Sequence, residues 1–81
     1  MSGADSIDER VRRIMGLVLR RPVPAGENVT REGEPRWDSL RHVELIFSIE
    51  DEFGLTFDEA DLAELTNLDS LVEAVGRHDH R

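Results

Sequence analysis

The sequence predicts an all-α domain, a four-helix bundle with a short third helix and a long loop between the first two. Three observations lead there. Apolar residues recur at helical spacing, start and stop residues bracket each such run, and no segment alternates in the manner of a strand. At 81 residues the chain holds one domain, spanning 1–81, with 1–5 and 77–81 expected as frayed tails.

The first helix opens on Ser6 and Glu9, a capping box in which each side chain satisfies the other's free backbone amide. Ile7, Val11, Ile14, Met15 and Val18 then share one face, and Glu9 stands four before Arg13 in the favourable order. Arg20 and Arg21 suit the negative helix end, and Pro22 stops it. Residues 22–35 read as a loop, broken by Gly26, Asn28 and Gly33, with Val29 as its peg into the core. A loop this long in a small domain is functional or forced by topology.

The second helix is expected to start at Asp38 or Ser39 and to end at Phe53, with Gly54 as the left-handed stop. A short third helix is expected from Asp58 to Leu65, broken by Thr66 and Asn67. Asp69 or Ser70 then caps a last helix that carries Leu71, Val72 and Val75. On helix two, Leu45, Ile49 and Phe53 form a core stripe with Ile46 beside it. Leu40, Val43 and Phe47 form a second apolar group, interleaved with Glu44, Glu50 and Asp51. Two readings of that group stand: a partner-docking surface, or a second stripe covered by neighbouring helices.

Composition narrows the function. Cysteine is absent, which excludes a disulfide framework, a cysteine-built zinc site and a protein thiol nucleophile. The formal charge is −8, from 18 acids against 10 arginines and no lysine, so nucleic acid and anionic membrane are not expected partners. Arginines at 10, 12, 13, 20 and 21 interrupt any apolar run near the start, so neither a signal peptide nor a span is expected, and cytoplasm is the expected location. The charge is also uneven. Residues 1–36 carry a net +1 and residues 37–81 a net −9, with ten acids and no arginine between His42 and Gly76. Such a field steers a domain toward basic partners, or simply keeps it solvated. The high charge favours a monomer.

Asp38, Ser39 and His42 invite a catalytic-triad reading, which fails on its surroundings. A hydrolase serine sits on a strained turn flanked by glycines, whereas here the neighbours are Trp37, Asp38, Leu40 and Arg41. No metal site is expected. His78 and His80 fall in the tail, and the acidic stretch from Asp51 to Glu64 lacks calcium-loop spacing, leaving only loose divalent-ion binding open. Ser39 remains, a hydroxyl at the head of the acidic helix, either an ordinary cap or the bearer of a phosphate ester, which a helix amino-terminus would stabilise. Asp69-Ser70-Leu71 repeats the tripeptide Asp38-Ser39-Leu40 and serves as an internal control in which the cap reading suffices.

Trp37-Asp38-Ser39-Leu40, His42-Val43-Glu44-Leu45-Ile46 and Ile49-Glu50-Asp51-Glu52-Phe53-Gly54 together resemble the signature of acyl carrier proteins. The likeness extends to the first helix from Glu9, to the third from Phe57 and to the fourth from Thr66. The resemblance implies a non-catalytic carrier with a 4′-phosphopantetheine arm on Ser39, transferred from coenzyme A by a phosphopantetheinyl transferase with magnesium near Asp38. It implies that Leu40, Val43, Glu44, Phe47, Glu50 and Asp51, beside Asp38, meet basic patches on partner enzymes, among them acyl- or aminoacyl-loading ligases or synthases. The arm's thiol would hold the cargo as a thioester, importing the chemistry that the cysteine-free chain lacks. Arg41, His42 and Trp37 depart from the fatty-acid-synthesis pattern, and the glycine-rich core of peptidyl carriers is absent. The chain thus looks closer to stand-alone carriers of specialised acyl, aminoacyl or polyketide-like units, with His42 lining the bundle mouth or capping a turn. The competing reading is an unmodified acidic helical adaptor that docks a basic protein.

Overall fold

A computed structural model describes residues 6–78. Four helices follow in order: α1 (Ile7–Leu19), α2 (Ser39–Phe53), α3 (Glu59–Glu64) and α4 (Leu68–His78). Among the described residues the sole β pairing is an isolated bridge between Thr30 and Asn67, so the class is all-α as expected. Among the described residues no helix is long and apolar enough to cross a membrane.

Local signals set most helix ends. Ser6 and Glu9 form the expected capping box on α1. The left-handed stop is Arg20, at φ 59°, rather than Pro22. Its amide and that of Arg21 both turn back to the Gly16 carbonyl, and a Cβ at position 16 would crowd this turn by standing 3.1 Å from the Arg21 carbonyl oxygen. The Arg21 side chain is drawn away from the helix end into ion pairs with Glu27 and Glu34. At α2, Gly54 takes φ 66° and the Leu55 amide reaches the Glu50 carbonyl at 3.1 Å. Asp58 caps α3 through the Asp61 amide at 2.8 Å.

The core is one cluster. Val11, Met15 and Leu19 of α1 meet Leu45 and Ile49 of α2 and Leu68, Leu71, Ala74 and Val75 of α4. Phe57 and Leu65 close it from either end of α3, and Val29 is the expected peg from the long loop. Trp37, at 2% exposure, is a further core member that sequence reading did not place there.

The loop is stitched down at both ends. Buried Arg12 pairs with Asp8 and donates Nη1 to the carbonyls of Pro24 (2.8 Å) and Glu27 (2.6 Å). Further along, the Asn28 side chain accepts the Asp69 amide at 2.9 Å, and the Val29 carbonyl accepts the Leu68 amide at 2.8 Å. Those contacts correct the expected start of α4. The cap is Asn67, whose Oδ1 accepts the Ser70 amide at 2.8 Å, so the first three orphan amides of the helix are all satisfied. The helix can therefore begin at Leu68, before Asp69 and Ser70.

The far end of α4 is a second correction. Arg77 and His78, expected in the tail, are the last two residues of the helix, and both reach Asp61 of α3. His78 also meets Phe57 edge-on at 5.6 Å between ring centroids. The rest of the expected tails, 1–5 and 79–81 with His80 among them, lies outside the described residues.

Candidate functional site

Asp38 enters α2 in extended conformation, and its Oδ1 accepts the Arg41 amide at 2.9 Å. Asp38 is therefore the cap. Ser39 becomes the first helical residue, exposed, with a hydroxyl that the backbone does not use. Its Oγ accepts one bond, from Arg31 Nη2 at 3.3 Å. The second Asp-Ser-Leu tripeptide behaves differently. Ser70 Oγ donates to the Asn67 carbonyl at 2.8 Å and accepts the Asn67 amide at 3.3 Å, so that hydroxyl is spent on starting α4. One serine of the pair is structural and the other is spare.

The surroundings of Ser39 rule out a triad. Asp38 is held by the Arg41 amide, and His42 turns its Nδ1 to Trp37, whose indole N–H donates to it at 3.0 Å. The two rings stack with centroids 6.1 Å apart at 26°. Accepting that bond requires an unprotonated Nδ1, which places the proton of the neutral imidazole on Nε2. Burial, and then the charge of Arg31, push the pKa of His42 below its ordinary value.

This has a consequence for stability. A folded-state pKa below the unfolded one means that the unfolded chain binds more protons as pH falls. Stability from the Trp37–His42 contact is thus full above the unfolded value of about 6.5 and declines as pH falls through the lower folded value. Asp61 has the same sign further into acid. Its carboxyl is held low chiefly by the His78 hydrogen bond and further by Arg77 and the Asp58 capping contact, against the opposing effect of burial. Thermal melts should show the first decline setting in below about pH 6.5. His42→Gln, whose amide oxygen accepts the indole N–H without titrating, should remove that first decline and keep the one nearer pH 4, close to the carboxylate range.

Beside the serine, His42, Val43, Ile46 and Phe47 of α2 and Leu62 of α3 line an apolar groove of ≈ 270 Å³. His42 thus lines a mouth between helices, one of its two expected places. A larger concavity of ≈ 640 Å³ runs along α1 and the start of the loop, but none of its lining residues belongs to α2.

The second apolar group of α2 is not covered by neighbouring helices. Leu40 (68% exposed), Val43 (48%) and Phe47 (65%) are uncovered, while Leu45, Ile46 and Ile49 face the core and Phe53 packs half-buried against it. Glu44 and Asp51 are exposed among them. Glu50 is partly diverted, because its Oε2 accepts the Phe57 amide at 2.8 Å and ties the α2–α3 link. Sequence reasoning missed Arg31. Its position, eight residues before Ser39 in a loop, carries no periodic signal, and the turn that presents it depends on Thr66 and Asn67.

The family described as phosphopantetheine attachment site matches residues 9–75. Among solved structures, a Mycobacterium tuberculosis protein described as an acyl carrier protein superposes with a TM-score of 0.75. It shares 22% identity, over 89% of this chain and 97% of its own, a likeness that speaks to the fold. No curated protein sequence matches. The family match spans well over half of the chain, which therefore belongs to the phosphopantetheine-attachment family: it is a phosphopantetheine-bearing carrier domain rather than a catalyst, and it works by interacting with enzymes.

Proposed function

We propose that Ser39 Oγ is the atom that bears the arm. The observation that carries this is the division of labour at the head of α2, where Asp38 caps the helix and leaves the Ser39 hydroxyl exposed and spare. In the transfer, the Ser39 hydroxyl gives its proton to a base of the transferase or to water, and its oxygen bonds to the phosphorus that bears the pantetheine. The pyrophosphate P–O bond of coenzyme A breaks, so that the nucleotide leaves with the bridging oxygen and the released charge. The second carboxylate oxygen of Asp38 makes no bond among the described residues, which supports a place for it near the transferase's magnesium. Fragmentation mass spectrometry of the modified protein tests the assignment: the arm on Ser39 supports it, and the arm on Ser70 or any other residue overturns it.

The cargo reading is an acyl or aminoacyl unit held as a thioester and presented to loading ligases or synthases by a monomeric domain. The docking face is Leu40, Val43 and Phe47 within the acids Asp38, Glu44 and Asp51, with Glu50 contributing from its tethered position. A central exposed aromatic among apolar neighbours is where binding energy concentrates. Phe47→Ala is expected to weaken binding to a cognate enzyme by about 2 kcal/mol or more. Because Phe47 is exposed, its melting free energy should stay within about 0.5 kcal/mol of the parent. Lysine at Glu44 and Asp51 should slow association and flatten its salt dependence. Titration calorimetry and stopped-flow measurements at two salt concentrations check both. Glu50→Lys is a poor probe, since it also releases the Phe57 amide.

A further inference from the structure

We infer that Arg31, presented by the long loop, is the seat for the phosphodiester of the arm, a role that rests on the Ser39 attachment proposed above. Its Nη2 already lies 3.3 Å from Ser39 Oγ. A phosphorus bonded to that oxygen stands one bond further out, which brings its charged non-bridging oxygens within reach of the guanidinium. The planar fork of arginine matches such an oxyanion pair better than a lysine ammonium does.

Two features mark the position as prepared for an anion rather than as an incidental surface contact. The first is that Arg31 is unspent. Among the described residues it has no carboxylate partner, in a chain where acids outnumber arginines by 18 to 10. A nearby acid in the same loop, Glu34, is turned away from it, to Arg21 and to the Arg36 amide. The second is that Arg31 is held in place. Its amide donates to the Thr66 carbonyl at 2.8 Å, its carbonyl accepts the Glu34 amide at 3.4 Å, and the preceding Thr30 bridges to Asn67. The loop is therefore pinned to the start of α4 at the residue that faces Ser39, so little chain entropy remains to be lost when a phosphate arrives.

The neighbours fit the same purpose. His42 is kept neutral, with its proton on Nε2, so at the lip of the apolar groove it adds no positive charge that would compete with Arg31 for the diester. An arm leaving Ser39 with its phosphate fixed on Arg31 starts from a defined direction instead of swinging freely. Arg31 is a positioning residue: it holds the diester and takes no part in thioester chemistry.

The test uses full-length protein shown by intact mass to be fully phosphopantetheinylated and by fragmentation to carry the arm on Ser39. In the parent, the Arg31 Nε–H resonance is expected to move between the unmodified and modified forms. The phosphorus-31 resonance of the arm is expected to lie away from its position in the same modified protein unfolded by denaturant. In Arg31→Ala the phosphorus resonance should collapse onto the unfolded position, and Arg31→Lys should fall between. An Arg31 resonance that is unchanged by modification, or a phosphorus resonance that is the same in the parent and Arg31→Ala, overturns the inference. The first comparison needs no variant, so poor modification of Arg31→Ala does not blunt the test. Failure of the Ser39 assignment looks different, since it leaves the parent's Ser39 unmodified in the first place.

Discussion

Ser39→Ala is expected to abolish phosphopantetheine addition outright while leaving the fold intact. The hydroxyl is exposed, and its one contact among the described residues is accepted from Arg31. The cap that an alanine would remove at an ordinary helix start is supplied here by the neighbouring Asp38. The cost in unfolding free energy should therefore stay within about 0.5 kcal/mol, as for other exposed positions without a structural bond. Ser70→Ala should behave in the opposite way. Loss of its reciprocal bonds with Asn67 should cost about 1 kcal/mol, while modification proceeds normally. Intact mass and denaturant melts on the two variants separate a carrier from an unmodified acidic adaptor, for which Ser39→Ala would leave function unchanged.

Trp37→Ala carries the largest expected effect on stability. The side chain is 2% exposed, and it links the loop to the core two residues ahead of Ser39. Removing a buried tryptophan costs about 3–5 kcal/mol, through lost transfer energy and the cavity left behind. A domain this small holds about 5–15 kcal/mol at most and sits at the lower end of that range. Trp37→Ala should therefore be substantially unfolded at room temperature or melt tens of degrees lower. Trp37→Phe keeps most of the apolar burial and loses the N–H bond to His42 Nδ1. It should lose about 1 kcal/mol, remain folded and accept the arm. Circular dichroism melts of both variants, read beside intact mass, check the pair.

The contrast between what could and could not be read from sequence follows the range of the interactions. Helix α2 was legible from Asp38 to Gly54 because its limits rest on local chemistry: a carboxylate three residues before the amide it caps, and a glycine free to take positive φ. The Ser6–Glu9 box and the Val29 peg belong to the same class. The start of α4 does not. Asn67 caps it, and the carbonyl of Val29 and the side chain of Asn28 satisfy its next amides from about forty residues upstream, which no window on residues 66–71 displays. Arg77 and His78 read as tail in isolation and are helix because Asp61 holds them across α3.

The site divides along the same line. The second apolar group on α2 and the acids among it followed from the helical wheel, whereas its exposure did not; Ser39 stood out as a hydroxyl at the head of that helix, and the resemblance to acyl carrier proteins favoured one of its two readings. Periodicity could not show that Glu50 is tethered to Phe57, that Trp37 is core, or that Arg31 stands over the serine. Each of these depends on how a connecting segment is folded: the loop that presents Arg31 is tied to Thr66 and Asn67 far along the chain, and the α2–α3 link turns the Phe57 amide back onto Glu50.

The absence of cysteine makes the central claim directly countable. The unmodified chain holds no thiol, so any thiol that appears after incubation with coenzyme A and a phosphopantetheinyl transferase must be the arm's own. The decisive measurement is a colorimetric thiol titration of the repurified protein, freed of coenzyme A, with Ser39→Ala treated in parallel. One thiol per chain in the parent and none in the variant is the expected result; no thiol in the parent, or an equal count in both, would contradict the assignment of Ser39 as the point of attachment.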